Sequence, residues 1–423
     1  MDRVQRQKGG VSTHVGTSDF WTLRASHVFP LDIHGISSFS HWEKLSNVRL
    51  LGSRKEPPVR VISVPKTMKT PRIIAIEPSH IQYMQQGLMR YITPRLESHP
   101  IIGQSVHFSD QSINRDGARR CSIRKNRATM DLSEASDRVH NELVKNVFKN
   151  SPLLPYLQAC RSETALVPGE KTSRVLEKFA SMGSAVCFPT EAMVFYTLVL
   201  VGYHYHYGIT PTRSSIKRFS SSIDVYGDDI ICQSTVAGTV RATLEAFGLR
   251  VNQSKSFVKG FFRESCGGDY YKGTDVTPVY LRNRIPDGRR DPVGPTIIES
   301  LVATSNQLYK KGYWRSCQLL RDWIDQLAKT RIPRCPYEGE GIFYQSAMFT
   351  TQCRYSRTLH TYTQRRIVLS PIKVRDSASG EGSLLRALTV GGEHQIDFDH
   401  CVKRGAFKVK HRWVSATLGR TLD

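Results

Sequence analysis

Two adjacent carboxylates in Tyr226-Gly227-Asp228-Asp229 constrain this chain more than any other feature. Ile223-Asp224-Val225 ahead of them and Ile230-Ile231-Cys232 behind predict two short strands of a hairpin, with Gly227 supplying the backbone freedom of the turn. Neighbouring aspartates repel each other and resist ionising. A divalent cation reverses that balance by turning both into ligands. A bare Asp-Asp pair is more often a solvated turn, so it is the apolar flank on each side that points to a metal site.

A second carboxylate stands where such a site needs one. Ala128-Thr129-Met130-Asp131 reads as a short apolar strand ending at Asp131, and Ser133 is placed to cap a following helix. Val139, Leu143, Val144, Val147 and Phe148 recur at helical spacing and give that helix a core-facing stripe. Asp137 lies about one and a half turns along it, on the side of Asp131. The plain alternative for Asp137 is an acidic residue favoured by the dipole of a first turn.

Two further segments suit a phosphorylated ligand. Ser181, Gly183 and Ser184 lie in a loop of small residues that admits close approach to the backbone, and the apolar run Glu191 to Val201 after it predicts a buried helix with Pro189 in its first turn. That run is shorter than the roughly 20 apolar residues a bilayer requires. Upstream, Lys66, Lys69 and Arg72 fall on a strand-like segment from Val64 to Pro78, where lysine point charges and an arginine fork can converge on a triphosphate. A basic strand of this kind is by itself more often a solvated edge. Lys255 follows the hairpin at short range, before Phe262-Arg263-Glu264-Ser265-Cys266-Gly267.

The order of these segments resembles the catalytic (beta) subunit of the replicases of RNA bacteriophages, the leviviruses. The motifs that carry the likeness are Pro65-Lys66, Lys69, Arg72, Asp131-Leu132-Ser133, Ser136-Asp137, Ser181-Met182-Gly183, the aspartate hairpin, Lys255 and the Phe262 to Gly267 run, with fainter likeness at Gly273 to Tyr280, Gly391 to Glu393 and Trp413. The resemblance implies an α+β right-handed polymerase fold of fingers, palm and thumb. It implies RNA-directed RNA synthesis by two Mg²⁺ ions, replaceable by Mn²⁺, held by Asp131, Asp228 and Asp229. It also implies that Asp137 and Ser184 test the ribose 2′-hydroxyl and that Lys255 protonates the leaving pyrophosphate. RNA template and product, nucleoside triphosphates, host elongation factors Tu and Ts and a ribosomal protein are the implied partners, and the cytoplasm of a bacterial host is the implied location. Two departures stand out: Ser184 and Cys187 replace the Asn and Thr usual in the family, and only about sixty residues precede the Pro-Lys motif, which predicts shortened fingers.

Composition agrees with this reading. Sixty Lys and Arg against 37 Asp and Glu give a formal charge of +23, which calls for an anionic partner; no amphipathic anchor or spanning segment suggests a membrane. Nine cysteines without paired spacing point to a reducing compartment and away from a disulfide framework. The expected organisation is fingers over 1–127, palm over 128–285 with a finger excursion at 151–178 and a Ser- and Arg-rich connection from Gly208 to Ser222, and thumb plus C-terminal region over 286–423, where Ile297 to Leu327 is helical in pattern. Three rivals are a reverse transcriptase, the polymerase of a related capsidless RNA virus lineage, and a non-catalytic basic RNA-binding protein. The first usually has an aromatic residue shortly after the first aspartate, where Leu132-Ser133-Glu134-Ala135 has none; the last leaves the acidic positions unexplained.

Overall fold

The computed structural model describes residues 20–34, 42, 45–46, 48–52, 55–65, 71–281, 285–286, 295–328, 334–335, 342–343, 353–358, 360–371 and 407–415. The described residues fall into two compact units, one running to Pro278 and one beginning at Val279. The division lies a few residues ahead of the expected boundary at 285. Lys66 and Lys69 lie outside the described residues, as do Gly391 to Glu393.

In the first unit the strands are β1 (Phe20–Thr22), β2 (Arg49–Leu51), β3 (Val59–Pro65), β4 (Pro71–Ile76), β5 (Arg127–Asp131), β6 (Thr164–Leu166), β7 (Arg174–Val175), β8 (Asp224–Tyr226), β9 (Asp229–Gln233), β10 (Phe262–Ser265), β11 (Gly268–Tyr271) and β12 (Thr274–Asp275). Three sheets matter for the site. β5, β9 and β8 form an antiparallel sheet in the order β5-β9-β8, β10 to β12 a meander, and β4-β3-β6-β7 a mixed sheet in which β6 runs parallel to β3. The segment after Ser151 thus leaves the central sheet, adds two strands beside β3 and returns. Helices accompany mostly antiparallel sheets, which is the α+β class.

Burial explains why the central sheet is so apolar. Ala128, Met130, Val225, Ile230, Ile231 and Cys232 are all buried, and β9 is flanked by strands on both sides. Against this core lies the helix Cys187–Tyr207, which begins ahead of the expected run and outlasts it before Gly208 ends it in the left-handed conformation. It packs on the helix Ala237–Ala246 so closely that a Cβ on Gly202 would lie 3.0 Å from the Val240 Cα.

Two local expectations need correction. The stretch after Asp131 is not one helix capped by Ser133: it is a short helix Ala135–Arg138, an extended Val139, and a second helix Asn141–Val147 capped by His140. Tertiary pairing causes the break, because the returning segment takes the backbone groups a continuous helix would use. Phe179 N–H donates to Val139 O and Asn141 N–H donates to Glu177 O. The Ser- and Arg-rich connection expected from Gly208 to Ser222 is itself partly helical. Thr212 and Ser215 form a reciprocal capping box at the start of the helix Arg213–Ser220.

The second unit contains the helices Pro295–Lys310 and Trp314–Ala328, which bury Ile298, Leu301, Val302, Leu320 and Ile324 between them. Gly312, at φ +79°, lies in the turn that divides the expected 297–327 helical stretch. Its strands are β13 (Arg334–Cys335), β14 (Ile342–Phe343), β15 (Cys353–Ser356), β16 (Thr361–Pro371) and β17 (Phe407–Ser415), the last three forming an antiparallel sheet. Among the described residues no helix is long and apolar enough to cross a membrane.

Candidate active site

The turn between β8 and β9 holds Gly227 at φ +58°, with Tyr226 and Asp229 paired across it. Glycine is required there twice over, because a Cβ would also lie 2.4 Å from the Phe188 ring. Phe188 in turn packs edge-on against Tyr226, with ring centroids 5.2 Å apart. The start of the long helix therefore fixes the turn that carries Asp228.

The ladder between β5 and β9 places Asp131 directly opposite Asp229, and Asp228 sits next to them on the turn. This brings together the three carboxylates singled out in the sequence. Their surroundings differ. Asp228 is exposed, while Asp131 and Asp229 are half-buried. Asp131 Oδ2 accepts from Asn252 Nδ2 at 3.1 Å, and the Asp131 N–H donates to Ser256 Oγ at 3.2 Å. Asp229 Oδ1 accepts from the Cys266 N–H at 3.0 Å and from Ser265 Oγ at 3.2 Å, and the Asp229 carbonyl accepts from Asn114 Nδ2 at 3.3 Å. The Phe262 to Gly267 run thus anchors one oxygen of the second aspartate.

Electrostatics fit an acidic cluster built for a cation. Burial pushes Asp229 up to about 6, with the charges of Asp228 and Asp131 adding to it against the Cys266 hydrogen bond. Burial likewise raises Asp131, opposed by Lys255 and reinforced by Asp228. Lys255, on the 3₁₀ turn Gln253–Lys255, lies 3.5 Å from Glu264 Oε1. Burial would lower its pKa, but Glu264, Asp131 and Asp229 outweigh that and raise it.

Among the described residues no three His, Cys, Asp or Glu side chains converge as placed on a single ion. The donor set still fits a hard divalent cation. All the candidates are carboxylate oxygens, Asp228 faces solvent, and Asp131 and Asp229 are raised first by burial and further by the neighbouring carboxylate charge.

The other predicted residues lie around this centre in different ways. Asp137 Oδ1 is 2.5 Å from Lys178 Nζ. Arg72 is exposed on β4. Ser181 and Ser184 are buried, and the Ser184 hydroxyl has no hydrogen-bond partner among the described residues. Gly183, at φ +123°, has the backbone of β4 pressed against it: a Cβ there would lie 2.1 Å from the Ala75 carbonyl oxygen.

Sequence reasoning passed over several residues that the site uses. Asn252 and Glu264 belong to segments noted for their order, yet nothing in their spacing shows that they face Asp131 and Lys255. Lys178 ends the excursion and reaches Asp137 only through tertiary pairing. Glu191 sat unremarked at the head of an apolar run; it is buried, and burial followed by the charges of Asp228 and Asp137 pushes it up to about 8. A carboxyl heading the ten apolar or neutral positions from Ala192 to Val201 was the available signal.

The site is thus a carboxylate-bearing hairpin laid against a strand that ends in a third carboxylate. Comparison with known proteins makes the class specific. The family model for the RNA replicase beta-chain matches residues 41–289. The chain belongs to that family.

Curated relatives include the RNA-directed RNA polymerase beta chain of Escherichia phage MS2, 38% identical over 225 residues that cover 53% of this chain and 38% of the relative. Another is the RNA-directed RNA polymerase subunit beta of Escherichia virus Qbeta, 32% identical over 288 residues that cover 68% of this chain and 41% of the relative. The chain spans about two fifths of the length of the curated relatives it matches. Among solved structures, the RNA-dependent RNA polymerase of a human picorbirnavirus is 12% identical, with a TM-score of 0.44 over 65% of this chain and 56% of that one.

Proposed function

We propose that this chain catalyses RNA-directed RNA synthesis in the replication of a positive-strand RNA phage, in the cytoplasm of its bacterial host. The observation that carries this is the ladder that sets Asp131 opposite Asp229 beside Asp228. On this reading β5 to the β10–β11 hairpin form the palm, the β4-β3-β6-β7 sheet belongs to the fingers with its 151–178 excursion, and the second unit is thumb and C-terminal region.

Asp131 and Asp228 hold the divalent ions, Mg²⁺ or Mn²⁺, with Asp229 contributing the oxygen not engaged by Cys266 and Ser265. When bound, two such ions lower the pKa of an attacking hydroxyl and stabilise charge on the phosphates. Lys66, Lys69 and Arg72 grip the triphosphate. Ser181 and Gly183 shape the pocket, and Asp137 and Ser184 read the ribose. In the reaction the 3′-hydroxyl loses its proton to solvent water, its oxygen bonds to the α-phosphorus, and the bond from that phosphorus to the β-phosphate oxygen breaks. Lys255, held protonated by Glu264, Asp131 and Asp229, gives its proton to the departing pyrophosphate.

Exposed arginines on a neighbouring helix can meet RNA phosphates. The helix Ser112–Arg124 touches Asp229 through Asn114 and exposes Arg119, Arg120 and Arg124. On the same reading the partners include host elongation factors Tu and Ts and a ribosomal protein. The test is incorporation on defined primer-templates. The reading requires a Mg²⁺-dependent product complementary to the RNA template and made from ribonucleotides, abolished by EDTA. RNA binding without any incorporation, with or without the host factors, contradicts it, and a preference for deoxyribonucleotides assigns the chain to reverse transcription.

A further inference from the structure

We propose that Gln85 is a positioning residue which, with the outer edge of β4, locks the Ser181 to Ser184 loop to the strand carrying Arg72, so that sugar-reading and triphosphate-gripping groups form one clamp. The proposal rests on the polymerase reading and concerns the same nucleotide site. Gln85 lies on the helix Ser79–Glu97 and is 1% exposed. Its Nε2 donates to the Cys160 carbonyl at 2.9 Å, and its Oε1 accepts from the Ala185 N–H at 3.1 Å. One neighbour can only accept and the other can only donate, so a single orientation of the amide satisfies both.

A second fastening comes from β4. It is the end strand of its sheet, yet the Ala75 N–H on the side away from β3 donates to Met182 O at 2.8 Å. The Gly183 backbone packs on the Ala75 carbonyl so closely that only glycine fits. Arg72 is three residues back along the same strand, about 10 Å away. The connections close into a ring. They run from β4 to Met182, through the loop to Ala185, through Gln85 to Cys160, and from there to β6, which pairs with β3 and so returns to β4.

Inside this ring the Ser184 N–H donates to Ser181 O at 3.0 Å, while the Ser184 hydroxyl is 8% exposed and unpartnered among the described residues. A buried hydroxyl without a partner is costly unless a ligand supplies one. The ring therefore holds a ligand-ready group at a fixed distance from the arginine strand. None of the hydrogen bonds that close this ring involves the three aspartates, so its loss should weaken nucleotide selection and leave the chemical step in place.

Gln85→Met keeps the side chain's length and removes both hydrogen bonds together with one to the buried Glu77 carboxyl, and Ala75→Pro removes the donor to Met182 without touching Gln85. Steady-state incorporation of matched ribo- and deoxyribonucleotides on one template, with melting temperatures of the same samples, is the measurement. Each variant should raise the KM for ribonucleotides and lower the ribo-over-deoxy preference by about tenfold, with kcat within about threefold of wild type. A variant that melts like the wild type and keeps its KM and preference overturns the proposal. So does a fall in kcat at unchanged KM, which marks mere loss of folded protein. A wild type that does not extend the primer at all overturns the polymerase reading instead.

Discussion

The carboxylate hairpin and the small-residue loop are held in place by different kinds of bond. On the hairpin, side chains are anchored one by one: Asp131 by Asn252, and Asp229 by Cys266 and Ser265. On the loop the backbone is anchored, at Met182 by Ala75 and at Ala185 by Gln85, and the Ser184 hydroxyl is left over. The first arrangement fixes where charge sits and the second fixes where the loop backbone runs. On the proposed reading chemistry and selection are then separable, and substitutions should affect one without the other.

The largest separation should come from Asp131. Asp131→Asn keeps the hydrogen bond from Asn252 and loses the charge, so kcat should fall by at least about a thousandfold as several kcal/mol of metal-borne stabilisation is lost. Rapid-quench single-nucleotide incorporation checks this; an Asn variant within tenfold of wild type would move the metal site elsewhere. On the other side, Lys66→Ala or Arg72→Ala each removes a charge-assisted contact worth about 1.5 to 3 kcal/mol, raising the KM for all four nucleotides roughly 10- to 150-fold. An effect confined to one base would place these residues on the template.

Sugar choice gives a smaller effect. Asp137→Ala should lower the ribo-over-deoxy ratio of kcat/KM by at least about tenfold, because a hydrogen bond from the ribose 2′-hydroxyl to this charged, exposed carboxylate, worth about 1.5 to 3 kcal/mol, is one that a deoxynucleotide lacks. An unchanged ratio would confine Asp137 to its pairing with Lys178.

How far each side could be read from residues alone follows from the same contrast. Strand β5, the hairpin and the long helix were legible, since apolar periodicity, Gly227 and the aspartates are local signals. The split at Val139 was not, because His140 and Lys178 meet through a pairing 38 residues apart in the chain. Asn252 and Glu264 face the site only once the meander packs under the hairpin. Gly183 was read as room for a ligand, whereas the atom nearest its missing Cβ is the protein's own Ala75 carbonyl.

The smallest effect concerns stability. Glu191 is raised to about 8 from an ordinary value of 4.5, so the folded state binds its proton more tightly than the unfolded chain does. That contribution is fully present below about pH 4.5 and is lost as pH rises through 8, with a slope of at most about 1.4 kcal/mol per pH unit. Denaturant melts from pH 5 to 8 without metal should show this decline, and Glu191→Gln should flatten it. An identical slope in the variant would assign the loss to other groups.

Asp228 tests the central claim most directly, because it is exposed, bears the charge at the tip of the hairpin and anchors no side chain among the described residues. Incorporation should be titrated with Mg²⁺ for wild type and Asp228→Asn, with RNA affinity measured on the same samples. The variant should show no incorporation at any Mg²⁺ concentration while binding RNA within about threefold of wild type, since the basic surface is untouched. Incorporation that persists in the variant, or RNA binding lost in step with activity, would contradict the assignment of the hairpin as the catalytic centre.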